Sequence, residues 1–276
     1  EPQRVWLLQG VKAGVSRFDV SLGRGLADLV GREAELRTLQ GAWEAARAGG
    51  VHVVDIVGDA GIGKSRLIYE FRRGMAEEQA VFLRGHCAVD GRNTAYLPFI
   101  DLIRDWFHIG DVDAGDLVVE KLRRGLSLLD VDAKAIEPYL LNLLGQPVEG
   151  AEFTKEQAEV AGIRTREALQ SMILGRCATI PVVLFIDDLH WMDSASQALL
   201  RWAIDLTEPL PLLILCAYRP QYDAPWAEGA HVRTLPLSPL DSRDTEALLA
   251  NRLAGHTLSS EMAQAVMERA EGNPLF

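Results

Sequence analysis

The chain has 276 residues, of which 48% are hydrophobic and 24% charged, an ordinary globular composition that excludes disorder, collagen and a coiled-coil rod. Its 28 Lys and Arg against 39 Asp and Glu leave a net charge of -11, so the surface as a whole repels phosphate backbones and no direct nucleic-acid partner is expected. The three cysteines, Cys87, Cys177 and Cys216, are widely spaced and odd in number, which suggests neither a disulfide framework nor a zinc cluster and fits a reduced, cytoplasmic setting.

The apolar stretches Pro181 to Ile186 and Leu210 to Tyr218 fall short of the roughly 18 residues a membrane span requires, so no membrane is expected. Glu1 as first residue and Phe276 two residues after an Asn-Pro give the look of a piece cut from something longer. Residues 1–28 read as a linker from an upstream domain, with one strand-like run, Val5 to Leu8, and scattered glycines. Leu36, Leu39, Trp43 and Ala46 recur at helical spacing between Arg32 and Arg47, predicting an amphipathic helix ended by Gly49-Gly50. A β-branched strand, Val51 to Val57, follows, then a glycine loop and a helix beginning at Lys64.

Ala80 to Leu83 reads as a second strand and Leu97 to Phe107 as a helix. Asp116 to Leu129 is expected to be helical with Leu117, Leu122, Leu126 and Leu129 on one side, and Asp132 to Leu144 to be a helix ending at Gly145. Thr154 with Gln157 resembles a capping box opening a long helix through Met172. Pro181 to Ile186 is a continuous apolar run, as in a strand covered on both faces. Asp193 can cap a helix to Leu206, Leu210 to Tyr218 is another buried strand, and His231 to Leu235 a shorter one. Strands alternating with helices imply an α/β fold, a mainly parallel sheet sandwiched by helices. From residue 236 the pattern is purely helical, Asp241 to Leu253 and Ser259 to Ala270 closed by Gly272, which predicts the start of a small all-helical lid over 236–276. The domain between, 29–235, is expected to carry a helical insertion at about 88–175.

Gly58-Asp59-Ala60-Gly61-Ile62-Gly63-Lys64-Ser65 fits the phosphate-loop pattern of Gly, four residues, Gly-Lys-Ser, between a strand and a helix. Its backbone N–H groups can wrap a β-phosphate at a helix N-terminus. In that chemistry Lys64 bridges the β- and γ-phosphates and the Ser65 hydroxyl holds Mg²⁺. Val182 to Ile186 ends in Asp187-Asp188. Asp187 is the metal-side carboxylate and Asp188 the group that orients attacking water; a helix cap or solvated turn is the plainer alternative. Arg219, directly after a strand, can reach a γ-phosphate, although an ordinary surface arginine fits as well. His190 can relay the nucleotide state or simply pack with Trp191 at a helix entry, and the other histidines have no metal-ligand spacing.

Four ordered segments resemble a family, the signal-transduction ATPases with numerous domains (STAND), within the wider AAA-like P-loop NTPases. They are Leu29-Val30-Gly31-Arg32-Glu33 with Glu35, the loop Gly58 to Ser65 continuing into Arg66-Leu67, Asp187-Asp188-Leu189-His190-Trp191, and Gly272-Asn273-Pro274. The resemblance implies ATP or ADP with Mg²⁺, Arg32 near the base, Arg66 flanking the phosphate loop, Pro274 of the lid touching base or sugar, and Arg219 as the family's arginine after the fourth core strand. It also implies a regulatory ATPase switch with the chance of a nucleotide-dependent homo-oligomer. Residues 1 to 25 resemble the join between a class III nucleotide cyclase domain and its ATPase module. Arg84-Gly85-His86-Cys87 through Phe99 resembles both that group and large helix-turn-helix activators. Linked upstream cyclase and downstream sensor or repeat domains are therefore expected, and the alternative is an assembly module that binds ATP or ADP with little turnover.

Overall fold

A computed structural model describes residues 26–89, 91, 94–148, 155–226, 229, 231–253 and 259–275. The expected strand at Val5 to Leu8 and the Thr154–Gln157 capping box lie outside the residues so described. In chain order the elements are α1 (Glu33–Arg47), β1 (Gly50–Val57), α2 (Lys64–Gly74), β2 (Val81–His86), α3 (Leu97–Trp106), α4 (Gly115–Leu126), α5 (Ala133–Leu143) and α6 (Lys155–Cys177). They continue with β3 (Val182–Asp187), a single 3₁₀ turn (Leu189–Trp191), α7 (Ser194–Ile204), β4 (Pro211–Tyr218), β5 (Val232–Pro236), α8 (Ser242–Leu253) and α9 (Ser260–Ala270).

The five strands form one sheet in the order β2-β3-β4-β1-β5, and every pairing is parallel. The α/β expectation of a parallel sheet between helices therefore holds. Burial explains the order: β3 and β4 are buried almost throughout, whereas the edge strand β5 exposes three of its five side chains. Alternate residues point to opposite faces. Val182, Leu184 and Ile186 pack with Phe99, Leu102, Leu122, Leu140, Leu169 and Leu199 on the α3 to α7 side. Val183 and Phe185 pack with Leu39, Trp43, Leu67 and Phe71 of α1 and α2 on the other.

Element limits differ from the pattern-based ones where the backbone continues past an apolar run. β2 extends through Arg84-Gly85-His86, because Arg84 to His86 pair in register with Phe185 to Asp187 of β3. In α4 the inward residues are Val118, Leu122 and Leu126, one i, i+4 row. Leu117 lies off that row and is 39% exposed, while Leu129 is buried just past the helix end. Asp132 caps α5 by accepting from the Ala135 N–H, and Asp193 caps α7 by accepting from the Ser196 N–H at 2.9 Å. The helices α3 to α6 all lie between β2 and β3, in a single long crossover. Beyond β5, α8 has no buried residue. Among the described residues of 242–275, Ala270 is the buried one.

Candidate nucleotide site

The sheet order brings the carboxyl ends of β1, β3 and β4 side by side, the place where ligands gather in open parallel sheets. At the end of β1 the chain turns through Gly58 to Gly63 into α2. Gly61 and Gly63 have φ of +82° and +104°, a region side chains other than glycine rarely enter. Gly58 is constrained by space: a Cβ there would lie 2.8 Å from Ile62 Cγ2 and 3.2 Å from the Leu237 carbonyl oxygen. Ile62 is buried and anchors the loop, while Asp59 and Ala60 are exposed.

Lys64 is buried, and its ammonium donates to the Gly58 carbonyl at 2.7 Å and the Asp59 carbonyl at 3.0 Å. Burial pushes its pKa down; the Asp187 and Asp188 carboxylates pull it up and Arg219 pushes it down. Those carbonyls hold the cation inside the loop it is expected to serve, where a phosphate is the stronger partner. The Ser65 hydroxyl donates to Asp187 Oδ2 at 3.1 Å. Asp187 is 6% exposed, and burial, with the Asp188 charge adding, raises its carboxyl pKa, opposed by Arg84, Ser65 and Lys64. A hydroxyl beside a buried carboxylate is a hard-oxygen pair that suits Mg²⁺, which takes one or two protein oxygens and completes its shell with phosphates and water. Among the described residues no group of three or more His, Cys, Asp or Glu could hold a metal by itself. The donor set therefore fits a metal that arrives with a nucleotide.

Asp188 has a left-handed backbone, φ 57°, strained for a non-glycine residue. Its side chain is half exposed beside Asp187, whose Oδ1 accepts from the Asp188 N–H at 3.1 Å. His190 Nδ1 is 4.0 Å from Asp188 Oδ1, and its ring tilts against Trp191 with centroids 4.9 Å apart. It thus packs on Trp191, as one of its two readings expects, and also lies near Asp188. Arg219 follows the last residue of β4 and is exposed.

Not all the sequence candidates converge. Arg32, 6% exposed, donates to the Ser238 carbonyl at 2.6 Å, to the Ile62 carbonyl at 3.4 Å and to Glu35 at 2.9 Å. It staples the phosphate loop to the connection that follows β5. Arg66 turns away from the loop, to the Ala27 carbonyl at 2.8 Å and Glu70 at 2.6 Å. Pro274 lies between two residues that touch the loop: Asn273 Nδ2 donates to the Ala60 carbonyl at 3.0 Å, and a Cβ on Gly61 would meet Leu275 Cβ at 2.8 Å.

Residues with no assigned role also enter the site. Arg84 lies 3.5 Å from Asp187 Oδ2, and its guanidinium sits 5.9 Å from the Phe185 ring centroid. His86 Nδ1 pairs with Asp101 of α3, and that hydrogen bond, against burial, raises its pKa. Only the β2–β3 register places these side chains beside Asp187; the segment Arg84 to Cys87 carried a resemblance but no spacing that could reveal it.

A family model described as an AAA ATPase domain matches residues 28–215. The chain belongs to that AAA ATPase domain family. The match starts just before α1 and ends within β4, so it includes the phosphate loop, Asp187 and Asp188. Over its full length this AAA ATPase domain is 31% identical to an uncharacterized protein of Rhizobium meliloti (strain 1021), of which it spans 27%. Its fold resembles Drosophila ORC bound to DNA, with a TM-score of 0.50 at 16% identity, covering 99% of this chain and 61% of that one. A STAND protein with a tetratricopeptide-repeat sensor from Pyrococcus horikoshii gives a TM-score of 0.40 at 15% identity, covering 89% of this chain and 28% of that one. No helix among the described residues is long and apolar enough to cross a membrane.

Proposed function

We propose that this AAA ATPase domain is a Mg²⁺-dependent, ATP-binding and ATP-hydrolysing switch within a multidomain signalling protein. The observation that carries the reading is the Lys64–Ser65–Asp187 constellation, with Ser65 Oγ 3.1 Å from a buried Asp187 oxygen at the mouth of a glycine loop. Lys64 would exchange its two carbonyl partners for β- and γ-phosphate oxygens. Ser65 and Asp187 would hold Mg²⁺, which neutralises phosphate charge, and the exposed Asp188 would orient water for in-line attack. Arg219 would face the γ-phosphate and distinguish ATP from ADP.

Residues 29–235 form the nucleotide-binding domain, the helices of about 88–175 an insertion in it, and 236–276 the start of the lid. Arg32 and Pro274 sit where lid and loop meet, so lid position is read at the nucleotide. The 27% share of the Rhizobium protein leaves room for linked domains, a cyclase upstream and a sensor or repeat array downstream, in a cytoplasmic protein that assembles with its own copies when nucleotide binds. The test is a titration with ATP and Mg²⁺ followed by a turnover assay: Lys64→Ala should abolish both binding and hydrolysis, and equal binding by that variant refutes the site. A second reading, tight binding with little turnover, is favoured by the lid contact from Asn273 to Ala60, which closes over the loop. Asp188→Asn separates the two: a clear fall in turnover supports hydrolysis, and an unchanged near-zero rate supports an assembly module.

A further inference from the structure

A carboxyl group that phosphate chemistry does not use is buried in the middle of the sheet. Asp55 lies on β1, three residues before Gly58, and is 3% exposed. Its neighbours along the same strand are Val53, Val54 and Ile56, all buried, and an apolar side chain would fill its place at no desolvation cost. Its Oδ2 accepts from the Trp226 indole N–H at 2.9 Å, while its buried Oδ1 has no hydrogen-bond partner. The strand register sets Asp55 opposite Cys216 and Val57 opposite Tyr218, so Tyr218 is diagonal to Asp55 on the same face. The Tyr218 side chain abuts the same carboxyl, and burial together with that carboxyl's charge raises its phenol pKa.

Tyr218 and Trp226 bracket one short segment, and Arg219 is its first residue. The segment is pinned elsewhere too: the Tyr222 N–H donates to the Arg219 carbonyl at 3.0 Å, Gln197 donates to the Tyr222 hydroxyl at 3.0 Å, and Arg201 donates to the Pro225 carbonyl at 2.6 Å. Tyr218 and Tyr222 meet edge to face, with centroids 5.2 Å apart.

We infer that Asp55 is a positioning residue that clamps the 218–226 segment to β1 through Trp226 and Tyr218 and so holds Arg219 at the nucleotide. This rests on the reading of Arg219 as the residue facing the γ-phosphate. The same strand carries the clamp and the phosphate loop, so the loop and Arg219 keep one frame of reference. The energetically costly placement of a carboxyl in the core is thereby given a function in geometry.

The readout is the ratio of ATP to ADP affinity, measured on the whole chain with fluorescent nucleotide analogues; it requires no turnover and is insensitive to a general loss of stability. Arg219→Ala should collapse the ratio. Trp226→Phe, which keeps the ring and removes the donor, and Asp55→Ala should each lower it at least about fivefold, well within the roughly hundredfold that a 1 Å misplacement can cost, with ADP affinity unchanged. Asp55→Asn retains the acceptor and should hold the ratio within about twofold. In the Arg219→Ala background Trp226→Phe should add nothing. Should Trp226→Phe reduce the ratio equally in both backgrounds, or leave it unchanged in the parent, the clamp is refuted while the Arg219 reading stands. An unchanged ratio in Arg219→Ala refutes that reading and the clamp together.

Discussion

The contact between the proposed lid and the phosphate loop yields a kinetic prediction. Asn273 makes two hydrogen bonds, donating from Nδ2 to the Ala60 carbonyl and accepting at Oδ1 from the Leu275 N–H, both at 3.0 Å. Replacing it by Ala removes both without touching a phosphate-binding atom. Each bond is solvent-accessible, so each contributes at the lower end of the net ~0.5–1.5 kcal/mol typical of intramolecular hydrogen bonds. Of the two, the bond to Ala60 alone joins lid to loop, since Leu275 belongs to the same segment as Asn273, so the bias towards the closed lid is ~0.5 kcal/mol, equivalent to roughly twofold in the open-to-closed ratio, since ~1.4 kcal/mol is tenfold. Stopped-flow release of a fluorescent ATP analogue should accelerate by about that factor, and association should accelerate as well, because the nucleotide passes the same barrier in both directions. Gly272→Ala provides an independent displacement of the same contact: at φ +73° its Cβ would lie 2.3 Å from the Leu240 carbonyl oxygen, which belongs to rigid backbone. It should mimic Asn273→Ala while leaving Asn273 in place. Release rates unchanged in both variants would refute the lid as a gate.

Asp187→Asn should leave nucleotide binding without metal nearly intact and abolish the increment that Mg²⁺ adds, measured by titration with and without the cation; an undiminished increment would remove Asp187 from the metal site. Asp55 gives a pH-dependent prediction. Its pKa is raised above 3.8, first by burial, with the Trp226 hydrogen bond the largest opposing influence. The folded state therefore binds the proton more tightly than the unfolded state, and stability falls as pH rises from the unfolded pKa through the folded one. Asp55→Asn, which does not ionise, should gain on the parent in thermal denaturation at pH 7.5 and lose that gain near pH 4; a gain independent of pH would show that ionisation is not the cause. In the crossover helices, Phe99→Ala deletes a side chain 1% exposed and should cost ~3–5 kcal/mol in urea unfolding. Leu128→Ala, at a position 72% exposed, should change stability by no more than about 0.5 kcal/mol.

Legibility in the sequence followed the range of the interactions. The phosphate loop, the acidic strand end and the cap at Asp193 are local: each is a residue type at a fixed offset from an element boundary, and each occupies the expected place. Continuous apolar runs also announced the interior strands, because β3 and β4 bury both faces, whereas the mixed pattern of β5 matches a strand at the sheet's edge. Hidden from view was the order that sets β4 between β1 and β3. Without it no spacing links Arg84 to Asp187, 103 positions apart, or Trp226 to Asp55, 171 apart. The same gap explains Arg32 and Asn273, whose carbonyl partners lie 206 and 213 positions away. Chemistry that contacts phosphate is concentrated in short motifs because backbone N–H groups of one loop do the binding, whereas the groups that orient it are drawn from whichever strands the topology makes neighbours. A chain can therefore declare its nucleotide loop at first reading and still conceal the clamp beneath it, since Asp55 interrupts the apolar run of β1 in plain view while its partner Trp226 is set only by the fold.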